Sequence, residues 1–290
     1  MFEGTYTALV TPFRNDAVDF DAYGKLIDRQ IEAGVDGVVP CGSTGESATL
    51  SHDEHERVIA FTIERAKGRI KVVAGTGSNS TRESIRLTAF AKEHGADGAL
   101  LIAPYYNKPT QDGLYAHYAA IAEAVALPQL VYNIPGRSSV NIAPETMGRL
   151  SKIDNIVGVK EASGSLDQVS RTLELCGPGF TVLAGDDSLT LPIMAVGGRG
   201  VIAVISNLLP HKLVRLVNAA NAGDFATARA VHYELMPAMR AMGLETNPIP
   251  VKAALAMMGL IQDELRLPLT SLTADNREKL RSVIEAQDLI

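Results

Sequence analysis

The chain has 290 residues, 46% of them hydrophobic, enough for a large core in one domain or two. Its formal net charge is −6 and it has no basic run or stripe, which excludes nucleic acid as the main partner. No stretch approaches the roughly 20 apolar residues of a membrane span, and two cysteines, Cys41 and Cys176, are too few for a disulfide framework.

The opening MFEGTYTALVTPF has neither a basic region nor a long apolar segment, so no signal peptide is read there and a cytoplasmic location is expected. Short apolar runs then alternate with longer amphipathic stretches. Strands are predicted at 7–10, 37–40, 71–74, 99–103, 129–132, 156–160, 181–184 and 200–205. Helical patterns lie between them at 20–33, 52–66, 81–94 and 166–176. A weak internal repeat supports this alternation. EAGVDGVV (32–39) and EHGADGAL (93–100) each read as a helix end, a glycine C-cap, a short turn and a strand.

Continuous apolar strands suit a parallel sheet covered by helices. Eight βα units fit a (β/α)8 TIM barrel. The other arrangement is an open doubly wound sheet, weakened because no strand is followed by G-x-G-x-x-G. Helices at 212–222, 224–241, 250–260 and 274–287 exceed one barrel unit. They predict a barrel over 1–222 and a C-terminal helical layer over 223–290. ETNPIP (245–250) reads as a break between helices, because a residue before proline avoids the helical region.

In such barrels chemistry sits where the strands end. The predicted strand ends carry Gly42-Ser43-Thr44-Gly45-Glu46, Tyr105-Tyr106-Asn107, Tyr132-Asn133, Lys160 and Gly185-Asp186-Asp187. Alternation puts Lys160 on one face with Gly158 and Ile156. If that face is the interior, desolvation lowers the lysine pKa and frees an amine for Schiff-base chemistry, with room left by Gly158. A strand-end lysine reaching water or pairing with Glu161 is the other reading. Tyr132 suits proton relay, or is a half-buried tyrosine with a satisfied hydroxyl. The Ser43–Thr44 loop offers amides and hydroxyls for a small carboxylate, or is an ordinary turn. Glu46 is a candidate catalytic carboxylate, but reads better as a structural one bonded to loop amides. GTGSNS (75–80) lacks the G-K-[ST] ending of a P-loop, and Cys41 reads as a small buried residue.

GSTGES, YYNKP, YNIPGR and GVKEASG together resemble the signatures of the pyruvate-dependent class I aldolases, the superfamily of dihydrodipicolinate synthases and N-acetylneuraminate lyases. The likeness runs from TALVTPF to NPIPVK and LRLPLT, and PGR and YYN place it nearest the synthase branch. It implies that Lys160 forms an imine with pyruvate and that Tyr132 moves protons. Thr44 would link Tyr132 to Tyr106, which reaches a neighbouring subunit's site. Ser43 and Thr44 amides would hold the pyruvate carboxylate, and Arg137 that of aspartate 4-semialdehyde. Gly185 and Ile202 would line the pocket. No metal or organic cofactor is implied, and the usual assembly is a homotetramer built as a dimer of dimers. Ser43 stands where threonine is usual; the hydroxyl is kept.

Ser47, Ala48, His52, His55, Asn79, Glu83 and Tyr105 resemble the L-lysine feedback site of bacterial synthases. The residues by themselves read differently. Ser51 with Glu54, and Ser80 with Glu83, look like capping boxes, with both histidines solvated in a first helical turn. Other readings are a sister aldolase acting on N-acetylneuraminate or a 2-keto-3-deoxy sugar acid, a barrel holding a metal on His52-x-x-His55, and a catalytically silent binding barrel. Arg137 separates the first, since it calls for a short substrate with its own carboxylate.

Overall fold

A computed structural model describes residues 1–290. The chain begins with β1 (Gly4–Ala8), followed by a small hairpin of β2 (Phe13–Arg14) and β3 (Ala17–Val18). Then come α1 (Phe20–Glu32), β4 (Gly37–Val39), α2 (His52–Ala66), β5 (Lys71–Gly75), α3 (Thr81–Glu93), β6 (Gly98–Ile102), α4 (Gln111–Ala124) and β7 (Gln129–Asn133). The second half runs through α5 (Pro135–Ser138), α6 (Pro144–Leu150), β8 (Ile156–Glu161), α7 (Leu166–Cys176), β9 (Thr181–Ala184), α8 (Thr190–Ala195) and β10 (Gly200–Ala203). It ends with α9 (Pro210–Asn221), α10 (Phe225–Ala241), α11 (Ile249–Met257) and α12 (Ala274–Glu285).

The long strands close into one parallel barrel in the order β1-β10-β9-β8-β7-β6-β5-β4, with β4 back against β1. The open doubly wound sheet is thereby excluded. Two strands, β1 and β10, differ from the sequence expectation by more than one residue. β1 starts at Gly4, not residue 7, because the polar Thr5 and Tyr6 still pair with β10. β10 stops at Ala203 because the Val204 and Ile205 amides turn away to donate to the Asp187 carboxylate.

The repeated EAGVDGVV and EHGADGAL joints do the same work twice. Gly34 (φ 75°) and Gly95 (φ 90°) end α1 and α3 in the left-handed region open to glycine. Asp36 then accepts the Thr5 amide and Asp97 the Val72 amide, each at 2.8 Å. Each aspartate so ties its own strand's entrance to the neighbouring strand.

Phe2, Tyr6, Val39, Val73, Leu100, Leu130, Leu183 and Ile202 fill the barrel interior, while the outward strand residues pack under the helices. One irregularity changes the reading of β8. Gln129 pairs with Ile156, but Leu130 pairs with Gly158, so β8 carries one extra residue. Ile156 therefore belongs to the outer core and Val157 packs against the inner one, which corrects the expected face of Ile156. Nor does Gly158 leave empty space. A Cβ there would lie 2.9 Å from Leu130 Cδ2 and collide with the Thr181 carbonyl, so the glycine makes room for its neighbours.

Candidate active site

Lys160 and Tyr132 are register partners on β8 and β7. Lys160 is 5% exposed, and its Nζ lies 4.3 Å from the Tyr132 ring centroid. Glu161 points elsewhere, accepting from Asn133, Gln168 and the Ser163 amide, so it is not the partner of Lys160. Burial pulls the lysine down to about 8, opposed by the Asp187 and Asp186 carboxylates and helped by Arg137. The same burial pushes the Tyr132 phenol up, with Arg137 and the Ser43 hydroxyl acting the other way. It raises Asp187 to about 6, although the carboxylate accepts the Val204 and Ile205 amides at 3.0 and 2.7 Å. An amine with that pKa is partly neutral near pH 7, the form that attacks a carbonyl.

The Ser43–Thr44 loop joins β4 to α2 by a tight turn. Gly45 and Ser47 amides donate to the Gly42 carbonyl, and the Glu46 amide to that of Ser43. The Ser43 and Thr44 amides donate to no protein acceptor. Thr44 is buried, and its Oγ1 accepts from Asn247 Nδ2 at 2.9 Å. Arg137, on the short α5, donates from Nη2 to the Asn247 carbonyl at 3.0 Å. Asn247 thus touches both. It went unnoticed in the sequence, where ETNPIP read only as a helix break. Tyr132, Ser43, Arg137 and Asn247 line one cavity of about 590 Å³. Gly185 lines a smaller one of about 260 Å³ that also reaches Asn247. Ile202 is fully buried in the inner core. Tyr106 lies outside the larger cavity, 90% exposed and at φ 72°.

Glu46 is a structural carboxylate, but not on the amides of its own loop. It accepts from Lys252 Nζ at 2.5 Å and from the Arg266 amide at 3.2 Å, because it turns inward, away from its own loop.

The larger cavity extends to Ser47, Ala48, His52, His55, Glu83 and Tyr105. Asn79 stands beside it, donating to the Tyr105 carbonyl at 3.2 Å. His52 Nε2 is 3.2 Å from Glu83, which also accepts from the Ser78 hydroxyl. His55 is buried, not solvated. Its Nε2 is 2.7 Å from the Gly75 carbonyl, and burial lowers its pKa. The Ser51–Glu54 capping box forms; the Ser80–Glu83 one does not, because Glu83 is drawn to Ser78 and His52. No group of three His, Cys, Asp or Glu gathers here to hold a metal ion.

The dihydrodipicolinate synthetase family model matches residues 1–287. The 4-hydroxy-tetrahydrodipicolinate synthase of Nitratidesulfovibrio vulgaris (strain DP4) is 59% identical over 290 residues, covering 100% of this chain and 99% of that one. The chloride inhibited dihydrodipicolinate synthase of Acinetobacter baumannii, complexed with pyruvate, aligns with a TM-score of 0.98 and 43% identity over 100% of both chains. That of Cyanidioschyzon merolae, with lysine bound, aligns at 0.97 and 40%, covering 100% of this chain and 99% of that one.

Proposed function

The chain belongs to the dihydrodipicolinate synthetase family, and from that premise we propose what each site residue does. The protein is a 4-hydroxy-tetrahydrodipicolinate synthase, which condenses pyruvate with L-aspartate 4-semialdehyde on the route to diaminopimelate and lysine. The sister-aldolase reading is not favoured.

Lys160 attacks the keto carbon of pyruvate and water leaves, giving an imine. The protonated imine is an electron sink, so the methyl group loses a proton and an enamine forms. The enamine carbon adds to the aldehyde. The adduct's amine then closes on the imine carbon and releases Lys160. Tyr132 transfers protons, and Thr44 with a partner subunit's copy of Tyr106 extends the relay. The unpartnered Ser43 and Thr44 amides hold the pyruvate carboxylate. Arg137 holds that of the semialdehyde, while Gly185 and Ile202 shape the pocket. The single observation that carries this reading is a lysine buried against Tyr132 and drawn down to about 8.

L-Lysine binding at the outer end of the large cavity belongs to the same reading, supported by the Glu83–His52 pair and by the lysine-bound relative. So do a homotetrameric assembly, a division into a barrel over 1–222 and a helical layer over 223–290, and a cytoplasmic location. The last rests on two unpaired cysteines. No helix is long and apolar enough to cross a membrane.

Mass spectrometry after borohydride reduction with pyruvate tests the core of the proposal. One adduct per chain is expected, on Lys160, and none in Lys160→Ala. An adduct on another lysine with Lys160 unmodified removes it.

A further inference from the structure

Lys252 is the most deeply buried charge in the molecule that this mechanism does not use. Its side chain is 0% exposed and that of Glu46 is 1% exposed. The ammonium has three neighbours: Glu46 Oε1 at 2.5 Å, the Thr11 carbonyl at 2.9 Å and the face of Phe13, 4.2 Å from the ring centroid. Glu46 in turn accepts the Arg266 amide with its other oxygen. Its backbone is held at φ 52°, ψ 37°, a left-handed conformation that is unfavourable for a non-glycine residue. Thr11 adds a second tie, its hydroxyl donating to the Gly45 carbonyl at 2.8 Å. The turn that presents Ser43 and Thr44 is therefore fastened from behind.

The two ends of this pair sit next to the site. Glu46 lies two residues beyond Thr44, and Lys252 lies one helical turn into α11, just after Asn247. Asn247 itself bonds Thr44 and receives Arg137. We infer that Glu46 and Lys252 are positioning residues: their buried ion pair sets the register between the Ser43–Thr44 turn and the Asn247 segment, and so the aim of the free amides and of Arg137. The C-terminal layer would then be part of the catalytic mouth rather than a covering. This inference rests on the proposed carboxylate-holding role of that turn.

The test compares Glu46→Gln, Lys252→Met and the double variant. Each single change leaves one buried charge alone and is expected to lower the unfolding temperature. The double variant removes both charges and is expected to recover most of it. If either single variant fails to fold, the double variant alone carries the test. Displacing positioned groups by an ångström costs up to about a hundredfold, so the double variant is expected to turn over between about tenfold and about a hundredfold more slowly than the wild type. It is also expected to need more pyruvate for half-maximal trapping at Lys160. Trapping at saturating pyruvate stays on Lys160. A double variant with native stability and wild-type turnover and pyruvate dependence overturns the inference. Failure of the wild type to trap pyruvate on Lys160 would instead remove the underlying reaction and leave this pair purely structural.

Discussion

Lys160 lies directly across from Tyr132 on adjoining strands, its ammonium 4.3 Å from the ring centroid, and both side chains are buried. Two groups that burial drives in opposite directions stand side by side. Burial lowers the lysine to about 8 and raises the tyrosine. At neutral pH the tyrosine holds its proton while the lysine is partly free of its own. The initial rate of reductive trapping by pyruvate should therefore rise with pH and level off above about 8. Cyanoborohydride trapping from pH 6 to 10, with short reaction times, measures it. A rate still climbing steeply between pH 9 and 10 would mean an ordinary exposed lysine.

The same burial makes Lys160 a stability liability. A pKa lowered from 10.5 to about 8 costs about 3 kcal/mol wherever the lysine is charged in both the folded and unfolded states, that is below pH 8. Between the two values the unfolded chain binds more protons, so stability contributed by this site rises with pH, and the penalty is gone above 10.5. Lys160→Met should raise the unfolding temperature by several degrees at pH 7, with the gain shrinking towards pH 10. A variant less stable than the wild type at pH 7 contradicts this account.

Arg137 and Asn247 divide their labour. Losing the charged hydrogen bonds of a guanidinium costs roughly 1.5–3 kcal/mol, about one to two decades. Arg137→Ala should weaken use of aspartate semialdehyde by that amount and leave pyruvate trapping nearly intact. Asn247→Ala should disturb both, since it contacts Thr44 as well as Arg137. Steady-state kinetics in each substrate, run beside trapping, distinguish them. Equal losses in both assays for Arg137→Ala would point to a structural role.

At the outer end of the large cavity, Glu83 is half-buried and paired with His52. Added L-lysine should inhibit partially, with a coupling of about 1–3 kcal/mol. Glu83→Ala should weaken that inhibition with little change in uninhibited turnover. His55→Ala should weaken it too, but at a cost in stability, because His55 is buried against the Gly75 carbonyl. Calorimetry and a dose series measure both. No binding at millimolar lysine would leave these residues as helix-end and core groups.

Much of this protein was determined by local sequence. Strand and helix order follow from apolar spacing, and α2 and α7 run as the pattern predicts, over His52–Ala66 and Leu166–Cys176. The Ser51–Glu54 cap is likewise a contact between near neighbours, so four consecutive residues suffice to read it. The strand-end positions of Lys160, Tyr132 and Ser43–Thr44 were legible because a barrel gathers its strand ends at one mouth.

Tertiary structure decided the rest, wherever a partner lies far along the chain. The extra residue in β8 reversed the face of Ile156 only because β7 pairs with it. Ser80 and Glu83 have capping-box spacing, yet Ser78 and His52 take the carboxylate. Asn247 became part of the site, and Glu46 found Lys252, across about 200 residues of intervening chain. Periodicity records which face is buried; it does not record which distant charge will satisfy a buried group, and that choice is made only when the C-terminal helices fold back over the barrel mouth.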